Sequence, residues 1–372
     1  MPAKQKNNIN RRRSVLITRF SALGDVAMAI PVVYSVCHAN PLTQFVMVTA
    51  RPLKSLFLNP PPNLTVVEAD IRGEYSGPVG LARLTVELIK TYGITHLADL
   101  HNVIRTRIMR LTAAVTAGVK VAVIDKGRAD KRRLTNPKSR KLVPLPSSAE
   151  RYARVFASLG FEISDTFRSL WEDSGADPAL FTAVTSPKAP EERWVGIAPF
   201  AAHQGKVYPP ERMERVVELL CADHSVRIFL FGGGGKEREI LESWASRYPR
   251  VTSLAGRRLG FEVELTLMAF LDCMLAMDSG NAHLAAVAGC PVVSVWGATH
   301  PFAGFTAWRQ QPSDIIQAQV DCRPCSVFGN KPCRYGDYRC FSPITPEVVA
   351  AAVRRHFPAE VSPHSKKHQE QS

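Results

Sequence analysis

The stretch MDSGNAHLAAVAGCPVVSVWG, residues 277–297, reads as the end of a buried strand, a tight turn, a short helix of small residues and a second buried strand. Asp278 sits at the turn, and Gly280 and Gly289 flank the helix. Apolar strand, helix and apolar strand in succession form the repeating unit of a parallel sheet. In open sheets of that kind, ligands bind beyond the C-terminal ends of the strands. An acid and an uncovered helix N-terminus are therefore expected at a ligand-binding edge.

The same alternation runs outward through almost the whole chain. Residues 15–19, 44–49, 64–68, 94–100 and 120–124 read as strands, with helical patterns at 79–92 and 105–114 among them. A less regular stretch, about 160–192, holds Asp177-Pro178, Ser186-Pro187 and Ala189-Pro190, so turns dominate there. Beyond it, residues 194–200, 226–231 and 291–296 read as strands. Residues 210–222, opened by prolines, and 236–246 read as helices. A chain of 372 residues suits two such units, because single cores stop growing near roughly 250–300 residues. The expected organisation is a basic segment 1–13, an α/β unit 14–175, a linker 176–192, a second α/β unit 193–361 and a polar tail 362–372, disordered by composition.

The net charge of +14 points to anionic partners. The excess is local. Residues 1–13 carry five basic residues and no acid, and residues 126–141 carry eight and one acid, Asp130; these two segments hold +12 of the +14. No run of about 18 apolar residues exists to cross a membrane. Arg19 and Asp25 interrupt any signal-peptide core, so the chain reads as cytoplasmic.

Four features carry chemistry. In FSALGDVAMAIP, residues 20–31, Gly24 permits a tight turn after the first strand, and Asp25 falls at the start of a helix. That position suits an N-cap aspartate, and equally a general base facing a cleft. In IAPFAAHQGKVYPPERM, residues 197–213, Lys206 lies in a strand-to-helix loop beside a helix start, which suits a phosphate as well as a solvated loop. In FGGGGKERE, residues 231–239, the glycines allow close backbone approach. It is not a Walker A loop, since Glu237 follows Lys236 and Leu230 stands where the first glycine is required. Glu237 also stands where G-x-G-x-x-G needs its third glycine, so ATPase and dinucleotide oxidoreductase readings are rejected. In the opening stretch, Ser279, Gly280 and Asn281 start a helix whose free N–H groups and macrodipole, roughly +0.5 charge, suit a diphosphate. Asp278 would then accept from hydroxyls. His283, inside the helix, suits packing more readily than catalysis.

Taken in order, FSALGDVAMAIP, PFAAHQGKVYPPERM and MDSGNAHLAAVAGCPVVSVWGATHP resemble glycosyltransferase family 9, which includes the lipopolysaccharide heptosyltransferases. The resemblance covers about residues 14–357. It implies a GT-B fold, two Rossmann-like, doubly wound parallel-sheet domains facing a cleft, with acceptor on the first and nucleotide-sugar donor on the second. It implies inverting transfer without a metal. Asp25 matches the family's proposed base, Lys206 the lysine on donor phosphate, and Asp278 the aspartate at donor sugar and ribose. Ser279, Gly280, Asn281 and His283 fall in the same donor motif, and Glu237 matches a ribose-binding glutamate. Beside Gly24, the basic residues Lys126, Arg128, Lys131, Arg132 and Arg133 lie where the acceptor should enter. They suit Kdo carboxylates and lipid A phosphates, or anionic headgroups of the inner leaflet.

The expected activity is heptose transfer from ADP-heptose to a lipopolysaccharide core acceptor, at the cytoplasmic face of the inner membrane. The alternatives are transfer of another sugar to another surface glycan, and a non-catalytic anion- or nucleic-acid-binding protein. The basic segment lacks the interleaved aromatics of single-strand binders, which argues against nucleic acid. Four cysteines, Cys322, Cys325, Cys333 and Cys340, are spaced C-x2-C-x7-C-x6-C, which allows a structural zinc or free thiols in a reducing compartment. Nearby Arg323, Lys331, Arg334 and Arg339 would stabilise thiolates without metal. Cys37, Cys221, Cys273 and Cys290 read as small core residues.

Overall fold

The computed structural model describes residues 13–138, 140–172 and 174–357; the tail from residue 362 and nearly all of the basic segment 1–13 lie outside them. Five strands form the first sheet: β1 (Ser14–Thr18), β2 (Gln44–Ala50), β3 (Leu64–Ala69), β4 (His96–Asp99) and β5 (Lys120–Val123). Around it run α1 (Leu23–Ala39), α2 (Gly77–Tyr92), α3 (Ile104–Ala117), α4 (Arg128–Thr135) and α5 (Ser148–Ser158). The second sheet holds β6 (Arg193–Ala198), β7 (Val226–Leu230), β8 (Val251–Ser253), β9 (Cys273–Met277), β10 (Val292–Trp296) and β11 (Ile315–Gln317). Its helices are α6 (Pro210–Cys221), α7 (Lys236–Arg247), α8 (Phe261–Ala269), α9 (Gly280–Val287) and α10 (Pro346–Arg354).

Both sheets are parallel and doubly wound, in the orders β3-β2-β1-β4-β5 and β11-β10-β9-β6-β7-β8. In each, the winding reverses once, between β1 and β4 and between β6 and β9. These are the topological switch points, where crevices open beyond the strand ends. Every residue of β1, β9 and β10 is buried, as expected of strands covered by helices on both faces.

α1 is buried over Val26–Cys37, all around its circumference, because it lies among its own sheet, α5 and α9. A helix that is apolar on every side has to be enclosed in this way. The apolar core accordingly runs without a break from Val15 and Val26 through Phe156 to Leu284 and Ala285 of the second half. Where α1 meets α9, side chains would collide. A Cβ on Gly24 would lie 2.9 Å from His283 Cδ2, and one on Gly280 would lie 3.3 Å from Leu23. Gly24 is therefore a close-approach glycine inside a helix, not the turn glycine expected. Its absence of a side chain lets two helix N-termini, one from each half, converge on the cleft floor.

Four helices are absent from the sequence reading: α4, α5, α8 and α10. The basic run folds over Arg128–Thr135 as α4, and α5 starts on a capping box that the sequence does carry as Ser147…Glu150. Ser147 Oγ accepts from the Glu150 N–H at 3.1 Å, while the Glu150 carboxylate accepts from the Ser147 N–H.

Candidate active site

A cavity of about 330 Å³ opens between the two switch points. The first half contributes Leu23, Gly24 and Asp25. The second contributes Lys206, Glu237, Asp278, Ser279, Gly280, Asn281 and His283. Asp278 is buried at the end of β9. Lys206 Nζ lies 2.9 Å from its Oδ2, and Thr299 Oγ1 donates to the same oxygen at 2.9 Å. Both partners use Oδ2, so Oδ1 is open to a hydroxyl, and the ammonium keeps further protons for an anion. Ser279, at the N-cap of α9, makes no side-chain cap, so the first amides of that helix stay free. Two buried polar atoms in this cavity, Ser279 Oγ and His283 Nδ1, have no partner among the described residues.

Burial pushes the His283 pKa down to about 4, so the ring is neutral at pH 7 while it packs on Gly24. Glu237 turns back to accept from the Gly233 N–H at 2.7 Å. The glycine loop thus closes on Glu237, and the glutamate, not the glycines, reaches the cavity.

A second cavity of about 570 Å³ adjoins the first. Arg19, Lys126, Arg128, Lys131, Arg132, Arg151 and Lys331 line it, with Asp25 as its one carboxylate. Asp25 is the titratable side chain common to both cavities. It is held by Arg19, whose guanidinium lies 2.5 Å from Oδ2 and also donates to the Leu100 carbonyl at 2.7 Å. Tyr152, fully buried beneath, donates to the Asp25 main-chain carbonyl at 3.2 Å. Burial lowers the pKa of Lys126 and takes that of Lys131 down to about 8, with neighbouring cations adding to the effect. Such a cluster of crowded, partly desolvated cations is suited to a multiply charged anion.

The expected site residues thus divide between two cavities. Gly24 lines the first cavity, not the basic one. Arg133 lines neither; it is exposed and pairs with Asp130 at 3.3 Å. Several groups of the site went unread in sequence: Arg19, Arg151, Tyr152, Phe305 and Phe328 of the lining, and Thr299 behind Asp278. Only Arg19 carried a local signal, a cation at the C-terminal end of a buried strand.

No group of three or more His, Cys, Asp or Glu side chains among the described residues is arranged to hold a metal ion, so the zinc reading of the cysteines is not supported. Cys322, Cys325, Cys333 and Cys340 are free. The buried Arg323 lies within electrostatic reach of three of them and donates to the carbonyls of Gly297, Ala318 and Thr299. Burial pushes Cys340 up to about 12 and raises Cys325, so these two are neutral thiols and not the stabilised thiolates expected. No helix among the described residues is long and apolar enough to cross a membrane.

The family model described as glycosyltransferase family 9 (heptosyltransferase) matches residues 109–336, more than half of the chain. The chain is similar to the lipopolysaccharide core heptosyltransferase OpsX of Haemophilus influenzae, 23% identical over 311 residues, 78% of this chain and 80% of that protein. It is also similar to lipooligosaccharide heptosyltransferase 2 of Campylobacter jejuni serotype O:6, 24% identical over 135 residues, where the match spans 35% of this chain and only 41% of the relative's length. Among solved structures, a family 9 glycosyl transferase from Veillonella parvula superposes with a TM-score of 0.68 at 17% identity, over 93% of this chain and 97% of that one. The E. coli heptosyltransferase WaaC with ADP superposes with a TM-score of 0.63 at 17% identity, over 92% and 100%. The fold is GT-B.

Proposed function

The chain belongs to glycosyltransferase family 9, and from that premise we propose that it transfers heptose from ADP-heptose to a lipopolysaccharide core acceptor, with inversion and without a metal. One observation carries the reading: Asp25 stands where a cavity with the diphosphate-binding features meets a cavity lined by cations. In this reading Asp25 takes the proton from an acceptor hydroxyl. The oxygen attacks the anomeric carbon from the face opposite the diphosphate, the bond from carbon to phosphate oxygen breaks, and the configuration inverts. Arg19 positions the carboxylate. Lys206 and the free amides at the start of α9 take up the charge of the departing diphosphate, which is the role of preorganised charge in such transfers. Asp278 accepts from sugar hydroxyls through Oδ1, and Glu237 approaches the ribose.

The ADP part of the proposal draws support from the WaaC structures, which hold ADP and ADP-2-deoxy-2-fluoro heptose. Residues 14–175 are the acceptor side and residues 193–361 the donor side in this proposal. Lys126, Arg128, Lys131 and Arg132 meet the acceptor's anionic groups. Peripheral contact with an anionic inner leaflet belongs to the same reading, with α4 basic and Ile104, Leu111 and Val115 of α3 exposed.

Calorimetric titration with ADP, UDP, GDP and CMP tests the donor assignment. Wild type should bind ADP selectively, and Lys206→Ala should weaken it about 10- to 100-fold, the range for a charge-assisted bond. Preference for UDP or GDP would remove the heptose assignment, and unchanged affinity in Lys206→Ala would remove the phosphate role.

A further inference from the structure

The segment bearing the four cysteines has no part in the mechanism above, yet its tip forms one wall of the cationic cavity. We infer that Phe328 and Lys331, together with Arg151 of the first half in the same cavity, make a binding subsite for an anionic sugar of the acceptor, so that the donor half helps select the acceptor. The inference rests on the proposed transferase reading but assigns residues which that reading leaves without a role.

Three observations place the subsite. First, the loop is fixed to both halves. Arg323 at its base is buried and bonded to Gly297, Thr299 and Ala318 carbonyls, and the Cys325 N–H donates to the Ala298 carbonyl at 2.8 Å. From the first half, Arg140 donates to the Arg323 carbonyl at 2.7 Å. Second, the tip is pressed onto the Lys206 turn. Gly329 has φ +73°, and a Cβ there would lie 2.8 Å from Lys206 Cγ. The neighbouring Phe328 therefore lines both cavities, 54% exposed, its ring 5.7 Å from that of Phe305. Lys131 Nζ sits 4.1 Å from the centre of the Phe305 ring. Third, Arg151 is 5% exposed and lines the cationic cavity, and its Nη2 has no hydrogen-bond partner among the described residues. The Pro146 and Asp125 carbonyls, both at 3.1 Å, fix its guanidinium, so its charge borders the cavity from a set position.

An exposed aromatic face flanked by cations suits a sugar ring that carries a negative charge. The charge could be a carboxylate or a phosphate. Titration calorimetry with free Kdo and with glucosamine 6-phosphate separates the two sources, using wild type, Phe328→Ala, Lys331→Ala and Arg151→Lys. At least one probe should bind wild type. Each variant should weaken it fivefold or more, and Lys331→Ala and Arg151→Lys, at residues that line only the cationic cavity, should leave the ADP dissociation constant unchanged, which also reports an intact fold. Failure of both probes to bind wild type, or wild-type affinity in Phe328→Ala and Lys331→Ala, would overturn the subsite. Neither arm needs the donor, so a failure of ADP to bind would count against the transferase reading alone.

Discussion

Lys131 is the residue through which pH should reach the site. Burial, and then crowding by Arg151, Lys126 and Arg19, pushes its pKa down to about 8. The charged form is the one that meets an anionic acceptor, so affinity should be full below pH 7 and decline as pH rises through about 8. Losing one charge-assisted contact is worth about tenfold or more in acceptor KM between pH 7 and pH 9. In Lys131→Arg the charge persists, and that limb of the profile should vanish. A flat KM profile in wild type would remove Lys131 from acceptor binding. Asp25, Lys206 and Asp278 were legible in the sequence because each follows a strand at its C-terminal end. Arg151 was not, because its place depends on α5 packing across to the Asp125 carbonyl, which it reaches at 3.1 Å.

The crossing of α1 and α9 decides how closely the two halves of the site approach. Gly24 sits against His283, and Gly280 against Leu23, with no room for a branched side chain at either. Gly24→Val should force these helix starts apart. Overpacking of this kind destabilises by about 1–3 kcal/mol, read as a lower urea midpoint, and turnover should fall with it because Asp25 moves relative to Asp278. An unchanged midpoint would show that the contact yields freely. At this scale most of the fold was readable, since long buried strands and helices such as 226–231 and 210–222 carry strong apolar patterns. Some elements that escaped are short or polar: β8 and β11 have three residues each, and α4 is mostly charged; α5, α8 and α10 escaped as well. The loop tip at Phe328 has no period at all, and only its contact with the Lys206 turn brings it to the site.

For the molecule as a whole, the charge is arranged by place. The basic run that the sequence places where an acceptor should enter becomes α4 and lines a cavity together with Arg19 and Arg151. The cavity at Asp278, by contrast, balances Lys206 and two helix starts against Asp278 and Glu237. Asp25 belongs to both, and its position between a cationic cavity and a phosphate-suited one is the central claim. The most direct test is the rate of ADP release from ADP-heptose in the presence of a Kdo-bearing lipid A acceptor, for wild type and Asp25→Asn, with the ADP dissociation constant measured on both. General-base catalysis contributes about 10²–10⁴-fold, so the variant should fall by at least about 100-fold while binding ADP as wild type does. Turnover by Asp25→Asn at the wild-type rate would contradict the account.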